Sequence, residues 1–102
     1  MMRARKVDAN LKSIVDAARK FGLLVNVRND DCADLDVQVR GSNVAEIWEV
    51  KATGGRYTKR QKKLRAAGWC IRLIRSVDDV LEAKRTLLAD ADAIRKARLL
   101  QC

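Results

Sequence analysis

Histidine is absent from this 102-residue chain, and so is proline. Without histidine the chain has no imidazole, which excludes histidine-based catalysis and zinc-finger chemistry. Aromatic residues are also few: the chain has two Trp, one Tyr and one Phe, so any core must be mostly aliphatic. No apolar run approaches the roughly 20 residues that a membrane-spanning helix needs.

Cysteine is scarce as well, with three residues that are widely spaced and form no Cys-x-x-Cys pair. Together with the lack of a recognisable signal peptide, this usage is typical of a reducing compartment, and we expect a cytoplasmic protein. The length predicts a single domain over residues 1–102.

Acidic residues are missing from residues 51–75, a stretch that holds nine basic ones. The whole chain has 22 Lys and Arg against 13 Asp and Glu, for a formal charge of +9. Such an excess indicates a polyanionic partner, of which nucleic acid is the commonest. Some basic domains bind anionic membranes or acidic proteins, so charge alone leaves the partner's class open.

The apolar pattern predicts an α/β domain in the order α-β-β-β-α-β-α, with a mixed sheet of about four strands flanked by helices. The predicted helices cover 7–21, 58–67 and 76 onward, and the predicted strands cover 23–27, 34–40, 44–52 and 69–74. Thr58 and Gln61 form a capping box at the start of the second helix. The expected core contacts of the third helix are Val77, Val80, Leu81, Leu87 and Leu88. Trp48, Trp69 and Cys70 are also assigned to the core.

The predicted hairpin over residues 34–52 brings charged residues together. Residues i and i+2 of a strand share a face, so Glu49 and Lys51 lie together while Val50 turns into the core. A turn centred near Ser42 places Asp34 opposite Val50 or Lys51, with Glu49 one diagonal step away. Two carboxylates of this kind can hold Mg2+ beside substrate phosphate oxygens. Taken alone, Glu-x-Lys is common by chance, and the polar face of a hairpin is usually only solvated.

The order of these residues resembles a known family. Asp34, Glu49-Val50-Lys51 fifteen residues later, Gln61 in the next helix and GWCIRLIRSVDDV over 68–80 are similar to the PD-(D/E)XK nuclease superfamily. More narrowly, residues 7 to about 81 resemble the small stand-alone VRR-NUC domains of phages and prophages. The resemblance implies a restriction-endonuclease-like core and a Mg2+-dependent endonuclease, with Mn2+ as a substitute. It further implies branched DNA or a Holliday junction as substrate, and a homodimer.

The resemblance also implies residue roles. The metal ligands would be Asp34, Glu49, the Val50 carbonyl and Asp8, and the catalytic residues would be Lys51, Glu49, Asp34 and Gln61. Lys51 is interpreted as an electrostatic stabiliser rather than a base, because adjacent carboxylates favour its charged form. The chain departs from the family at Ala33, where a proline is usual, which removes a rigid backbone element but no ligand.

Several of these roles have alternatives. Asp8 is equally explained as a charge that favours the dipole of the first helix, and Gln61 as the capping partner of Thr58. Asp36 stands where the family has an apolar residue, and it points the same way as Asp34. It is therefore an extra ligand or the true one, with Asp34 ranked first.

The expected nucleic-acid contacts lie on the second helix and the loop before it. We expect these residues to contact phosphates or to stack on bases; they are Arg56, Tyr57, Lys59, Arg60, Lys62 and Lys63. Two other functions stay open: a non-catalytic DNA-binding or phage regulatory protein that keeps the fold, and a basic protein-interaction domain. The apolar residues of the tail serve as a dimer face or pack on their own chain; they are Ala93, Ile94, Ala97 and Leu100.

Overall fold

The structure is a computed structural model that describes residues 9–28, 30, 32–52 and 54–101. The predicted order of elements is confirmed within those ranges, while Val7 and Asp8 lie outside them. The helices are α1 (Ala9–Lys20), α2 (Lys59–Ala66) and α3 (Val77–Gln101), and the strands are β1 (Leu23–Val27), β2 (Leu35–Val39), β3 (Ala45–Val50) and β4 (Ile71–Ile74). The tail after residue 88 continues α3 as one helix.

The four strands form one mixed sheet in the order β1-β2-β3-β4. The first three are antiparallel neighbours, and β4 runs parallel to β3 after the crossover through α2. Alternation along the strands gives the sheet two faces. One face, which we call the core face, carries Leu35, Val37, Trp48, Val50 and Ile74, and α1 and α3 pack against it.

The buried residues of the core face are aliphatic apart from Trp48, which is fully buried there as predicted. The register also sets Glu46 and Arg72 on this face. α1 contributes Ile14, Val15 and Ala18 at helical spacing, and α3 contributes Val80, Ala83 and Leu87. The assignment of Val77, Leu81 and Leu88 to the core is wrong, since these side chains are exposed. α3 touches the sheet along one narrow strip, so residues one position from that strip face outward.

The opposite face, which we call the open face, carries the alternate residues of the strands. They include Asp36, Ile47, Glu49, Ile71 and Leu73. The short helix α2 lies on this side, because it lines one groove together with Ile47, Ile71 and Leu73. α2 begins with the predicted capping box, in which Thr58 and Gln61 satisfy each other's backbone N–H groups. α3 begins similarly: the Asp79 backbone N–H donates to Ser76 Oγ at 3.3 Å.

The β2–β3 hairpin has a different register from the predicted one. Leu35 pairs with Trp48, whereas the predicted register sets Leu35 opposite Glu49 or Val50. A four-residue loop over 40–43 causes the shift. The Val39 N–H donates to the Val44 carbonyl at 3.1 Å and closes the loop, and Gly41 adopts a left-handed φ of 76°.

Candidate active site

Asp34 is held in place by both its backbone and its side chain. Its N–H donates to the Trp48 carbonyl at 3.1 Å, and its own carbonyl accepts from the Arg28 N–H at 2.8 Å. The N–H is therefore bonded to β3 and the carbonyl to the residue after β1, which holds Asp34 between the two neighbouring strands. The side-chain Oδ2 then accepts from the Val50 N–H at 2.8 Å. The carboxylate is therefore fixed against the end of β3.

Glu49 and Lys51 form an ion pair beside it. Lys51 Nζ lies 3.0 Å from Glu49 Oε2, and the two side chains are 27% and 8% exposed. A carboxylate buried to this degree needs a nearby positive charge or hydrogen bonds. Lys51 is positioned by its backbone, because its N–H donates to the Ile74 carbonyl at 3.0 Å and its carbonyl accepts from Asn10 Nδ2 at 3.0 Å.

The two carboxylates influence each other. Burial raises the pKa of Asp34 above its ordinary value, and the hydrogen bond from the Val50 N–H opposes that rise. The negative charge of Glu49 and a hydrogen bond with it raise the Asp34 pKa further, while Lys51 lowers it. Asp34, Glu49 and Lys51 therefore form one electrostatic unit, as the sequence predicts despite the change of register.

The donor set of this unit suits a hard divalent cation. Mg2+ is bound by one or two carboxylates and completes its shell with water and substrate phosphate. Within the described ranges, no group of three or more Asp, Glu, His or Cys gathers at one place. A site built on Asp34 and Glu49 thus depends on a backbone carbonyl, such as that of Val50, and on water or phosphate. Asp8, the fourth expected ligand, lies outside the described residues.

Asp36 is separated from this unit by its own partners. Its Oδ1 lies 3.2 Å from Arg28 Nη1, and its Oδ2 accepts from Asn26 Nδ2 at 3.1 Å. Arg28 also pairs with Asp30 at 2.9 Å. Both oxygens of the Asp36 carboxylate thus already have partners, which favours Asp34 as the ligand.

Gln61 is buried, and both ends of its amide are engaged. Its Oε1 accepts from the Thr58 N–H at 2.9 Å, and its Nε2 donates to the Cys32 carbonyl at 3.1 Å. The capping role is therefore confirmed. The second bond ties α2 to the segment two residues before Asp34, so Gln61 helps to position the site.

Two further residues position Lys51, and the sequence analysis missed both. Asn10 of α1 donates to the Lys51 carbonyl and, at 3.3 Å, to the Arg75 carbonyl. Gly55 passes so near that an added Cβ would lie 2.5 Å from Lys51 Cβ. The sequence holds no signal for Asn10, whereas the Gly54-Gly55 pair indicated only a loop.

The basic residues expected to contact nucleic acid lie mainly on the surface of α2 and in the loop before it. Arg56, Lys59, Arg60, Lys62 and Lys63 are exposed. Tyr57 is partly engaged by the protein: its hydroxyl donates to the Ile71 carbonyl at 2.6 Å, and the Arg65 guanidinium lies 4.3 Å from its ring centre.

Trp69 and Cys70 are exposed, so their assignment to the core is wrong. The Trp69 N–H donates to the Leu64 carbonyl at 3.1 Å, which makes Trp69 part of the end of α2, and β4 begins only at Ile71. α2 has eight residues and is too short to cover this end of the open face. Trp69 remains 58% exposed as a result.

The comparisons with known proteins leave the family unassigned. No protein-family model, curated protein or solved structure matches the chain. Among the described helices, none is both long enough and apolar enough to cross a membrane.

Proposed function

We propose that the protein is a metal-dependent endonuclease that hydrolyses phosphodiester bonds of DNA. The observation that carries the proposal is the cluster of Asp34, Glu49 and Lys51, in which an ammonium lies 3.0 Å from a buried carboxylate and a second carboxylate is fixed by the backbone. This cluster combines anionic oxygen ligands with a cation at one end of a hairpin. The family resemblance points to the same three residues.

Each residue has a distinct part in the proposed reaction. Asp34 and Glu49 would hold Mg2+, or Mn2+ in its place, with the Val50 carbonyl as a further ligand. The ion supplies Lewis-acid polarisation of the phosphate and a more acidic bound water. The Lys51 ammonium stabilises the negative charge that develops on the phosphate oxygens. Because the backbone fixes Asp34 and Lys51 in advance, little reorganisation is needed when the phosphate binds.

The charge of the surrounding surface supports DNA as the polyanion. The nine basic residues of the 51–75 stretch include five on α2, and none of these five forms a salt bridge with another described residue. Phosphate contacts of this kind are independent of sequence and sensitive to salt. We therefore propose selection by DNA structure, with branched DNA or a Holliday junction as substrate, in the cytoplasm of a bacterial or phage-infected cell.

The proposed homodimer has a candidate surface at the end of α3. Ile94, Leu99 and Leu100 are exposed there, and so are Ala93 and Ala97. This exposure favours the dimer face over packing of the tail on its own chain. An isologous pair would present two active sites to a two-fold symmetric junction. Light scattering of the wild type and of Leu100→Lys measures the mass in solution: a monomeric wild type contradicts the dimer.

The decisive experiment compares DNA substrates and metals. A four-way junction, a flap, a duplex and a single strand are each incubated with Mg2+, Mn2+ or EDTA. We expect cutting of the branched substrates with either metal and none in EDTA. Lys51→Ala should reduce the rate at least 100-fold, a typical loss for one electrostatic stabiliser.

Lys96→Ala is the matched control, because it removes one lysine at the far end of α3, where Nζ pairs with Asp92 at 3.1 Å. It should cut at the wild-type rate. Salt-sensitive DNA binding without cutting under any condition would contradict the nuclease and favour the non-catalytic DNA-binding protein. An absence of both binding and cutting would favour the protein-interaction domain.

A further inference from the structure

A groove runs along the open face between α2 and strands β3 and β4. Its floor is apolar, with Ile47, Ile71 and Leu73 from the sheet, and Trp69 stands at one end with 58% of its surface exposed. Trp48, by contrast, is fully buried on the core face. Cys70 also lines the groove as a free thiol. The groove thus presents a large aromatic surface that no part of the described chain covers.

The rim of the groove is basic. Lys62 and Arg65 lie three residues apart on α2 and therefore share the helix face that lines it. Glu46 is the acid among the lining residues, but the strand register sets its side chain on the core face, where Arg72 Nε and Nη2 donate to its two oxygens at 2.7 and 2.8 Å. The net charge offered to a ligand is therefore positive, which favours a polyanion over an apolar peptide.

The groove leads toward the proposed active site. Leu73 is the register partner of Glu49 on the open face. Trp69 precedes Leu73 by four residues, or roughly 13 Å along an extended chain. A strand of nucleic acid that lies in the groove therefore runs between Trp69 and the carboxylates.

We propose that this groove binds unpaired nucleotides of a DNA strand, with a base stacked on Trp69 and phosphates on Lys62 and Arg65. The combination of an aromatic platform with basic side chains is the usual means of binding single strands without sequence preference. Trp69 is better suited than Tyr57, because Arg65 covers the Tyr57 ring and its hydroxyl is bonded to Ile71. The inference rests on the proposed nuclease and names its substrate class: DNA with a single-stranded branch or end next to the cut.

Tryptophan fluorescence tests the stacking contact directly. The wild type is titrated with a short oligothymidylate in EDTA, so that no cutting occurs. We expect quenching of the exposed Trp69, while the buried Trp48 acts as an internal reference. Trp69→Phe should abolish the quenching and leave the Trp48 emission unchanged by the oligonucleotide. Saturable binding that quenches the wild type and Trp69→Phe equally, or quenches neither, overturns the proposal.

Affinity measurements then test whether the contact is specific for unpaired nucleotides. Trp69→Ala should weaken binding of the oligothymidylate and of a flap by about five-fold to 100-fold, the range expected for loss of one stacked base. Trp69→Phe should retain most of the affinity, and blunt duplex should bind Trp69→Ala as well as it binds the wild type. Leu81→Ala, which truncates an exposed apolar side chain on α3 outside the groove and outside the proposed dimer surface, is the control and should change neither affinity.

Unchanged oligothymidylate affinity in Trp69→Ala, or an equal loss for blunt duplex, contradicts the proposal. The proposal is also contradicted if the protein binds the oligothymidylate no more tightly than it binds a neutral peptide, because the groove would then be a site for a protein. If the protein binds single strands through Trp69 but cuts no DNA, the proposed nuclease fails and the groove stands. If the protein cuts DNA but Trp69→Ala changes neither binding nor cutting, the proposed groove fails and the nuclease stands.

Discussion

The carboxylate of Asp34 accepts a 2.8 Å hydrogen bond from the backbone N–H of Val50. This contact attaches the side chain of one strand to the backbone of its neighbour, between the two charged residues Glu49 and Lys51. One carboxylate oxygen is thereby fixed. The other is oriented by the same bond, which gives the metal-ligand hypothesis a defined geometry.

The choice between Asp34 and Asp36 as the metal ligand is testable through stability. Asp34→Asn should remove the stabilisation that Mg2+ or Mn2+ gives to the wild type, whereas Asp36→Asn should retain it, because Asp36 is paired with Arg28. At a concentration 100 times the dissociation constant, bound metal stabilises a protein by about 2.7 kcal/mol. Thermal unfolding with and without metal measures the effect. Loss of the metal effect in Asp36→Asn alone would make Asp36 the ligand.

The raised pKa of Asp34 predicts a pH effect on the metal-free protein. Between its ordinary pKa of 3.8 and the raised value, the folded protein binds more protons at this carboxyl than the unfolded chain does. The free energy of unfolding therefore falls as pH rises through that window and stays lower above it. Asp34→Asn lacks the titration, so it should be more stable than the wild type at neutral pH in EDTA.

Urea unfolding of both proteins from acid to neutral pH tests this sign. The difference between the two curves isolates the contribution of Asp34 from those of other carboxyls. Asp30 is one of these: the Cys32 N–H and Arg28 lower its pKa, so its contribution to stability increases as pH rises. A difference that is constant with pH, or that favours the wild type increasingly as pH rises, would contradict the prediction.

The sequence predicted the fold closely because the hydrophobic pattern is local. Alternation identified Leu35, Val37 and Trp48 as core residues, and the capping box located the start of α2. The register of the β2–β3 hairpin was missed because it depends on the number of residues in the loop. Turn-forming residues locate a loop, but they leave its length uncertain by one residue. Leu81 and Ala83 illustrate a second limit: burial on α3 depends on how narrow its contact with the sheet is, and the helical pattern does not specify that width.

Gly55 should be essential for the position of Lys51. An added Cβ would lie 2.5 Å from Lys51 Cβ and 3.0 Å from the Ala52 carbonyl oxygen, so Gly55→Ala must displace Lys51 or the loop. We expect a destabilisation of about 1–3 kcal/mol, as for other overpacked sites, with a loss of metal-dependent cutting greater than ten-fold.

Gly54→Asn provides the comparison. Gly54 has a φ of 84°, and an added Cβ would meet nothing within 4 Å. Asparagine tolerates this left-handed conformation, so Gly54→Asn should keep nearly full activity. Equal activity in Gly55→Ala and the wild type would show that Lys51 does not depend on this contact.

The Glu46–Arg72 pair should contribute measurably to stability. Arg72 donates two hydrogen bonds to Glu46, and the bonds with this carboxylate raise the pKa of Arg72. Glu46 also accepts from Trp48 Nε1 at 3.0 Å. Glu46→Ala should therefore cost about 1–3 kcal/mol in urea unfolding, because it leaves a half-buried guanidinium and an indole N–H without their acceptor. Asp92→Ala, which breaks exposed pairs on α3, should change the free energy of unfolding much less, and equal costs would contradict the argument.

The site was less predictable than the fold, and for a physical reason. Asp34, Glu49 and Lys51 were identified because alternation and order along the chain bring them together. Asn10 and Gly55 act on Lys51 from α1 and from the loop, and contacts between elements distant in sequence leave no periodic signal. Whether the cluster is a nuclease site remains a prediction.

Gln61 is predicted to act mainly by holding α2 against the site. Gln61→Ala removes the acceptor of the Thr58 N–H and the donor to the Cys32 carbonyl, and it leaves a cavity at a side chain that is 1% exposed. We expect a loss of about 2–4 kcal/mol in the free energy of unfolding, against about 1 kcal/mol for Thr58→Ala, which affects the cap alone. Chemical unfolding measures both values, and the cutting rate is then compared at a temperature where each variant is fully folded.

Because both ends of the Gln61 amide are engaged within the protein, folded Gln61→Ala should cut within about ten-fold of the wild type, far above Lys51→Ala. A rate as low as that of Lys51→Ala in a folded protein would instead assign Gln61 to the reaction itself.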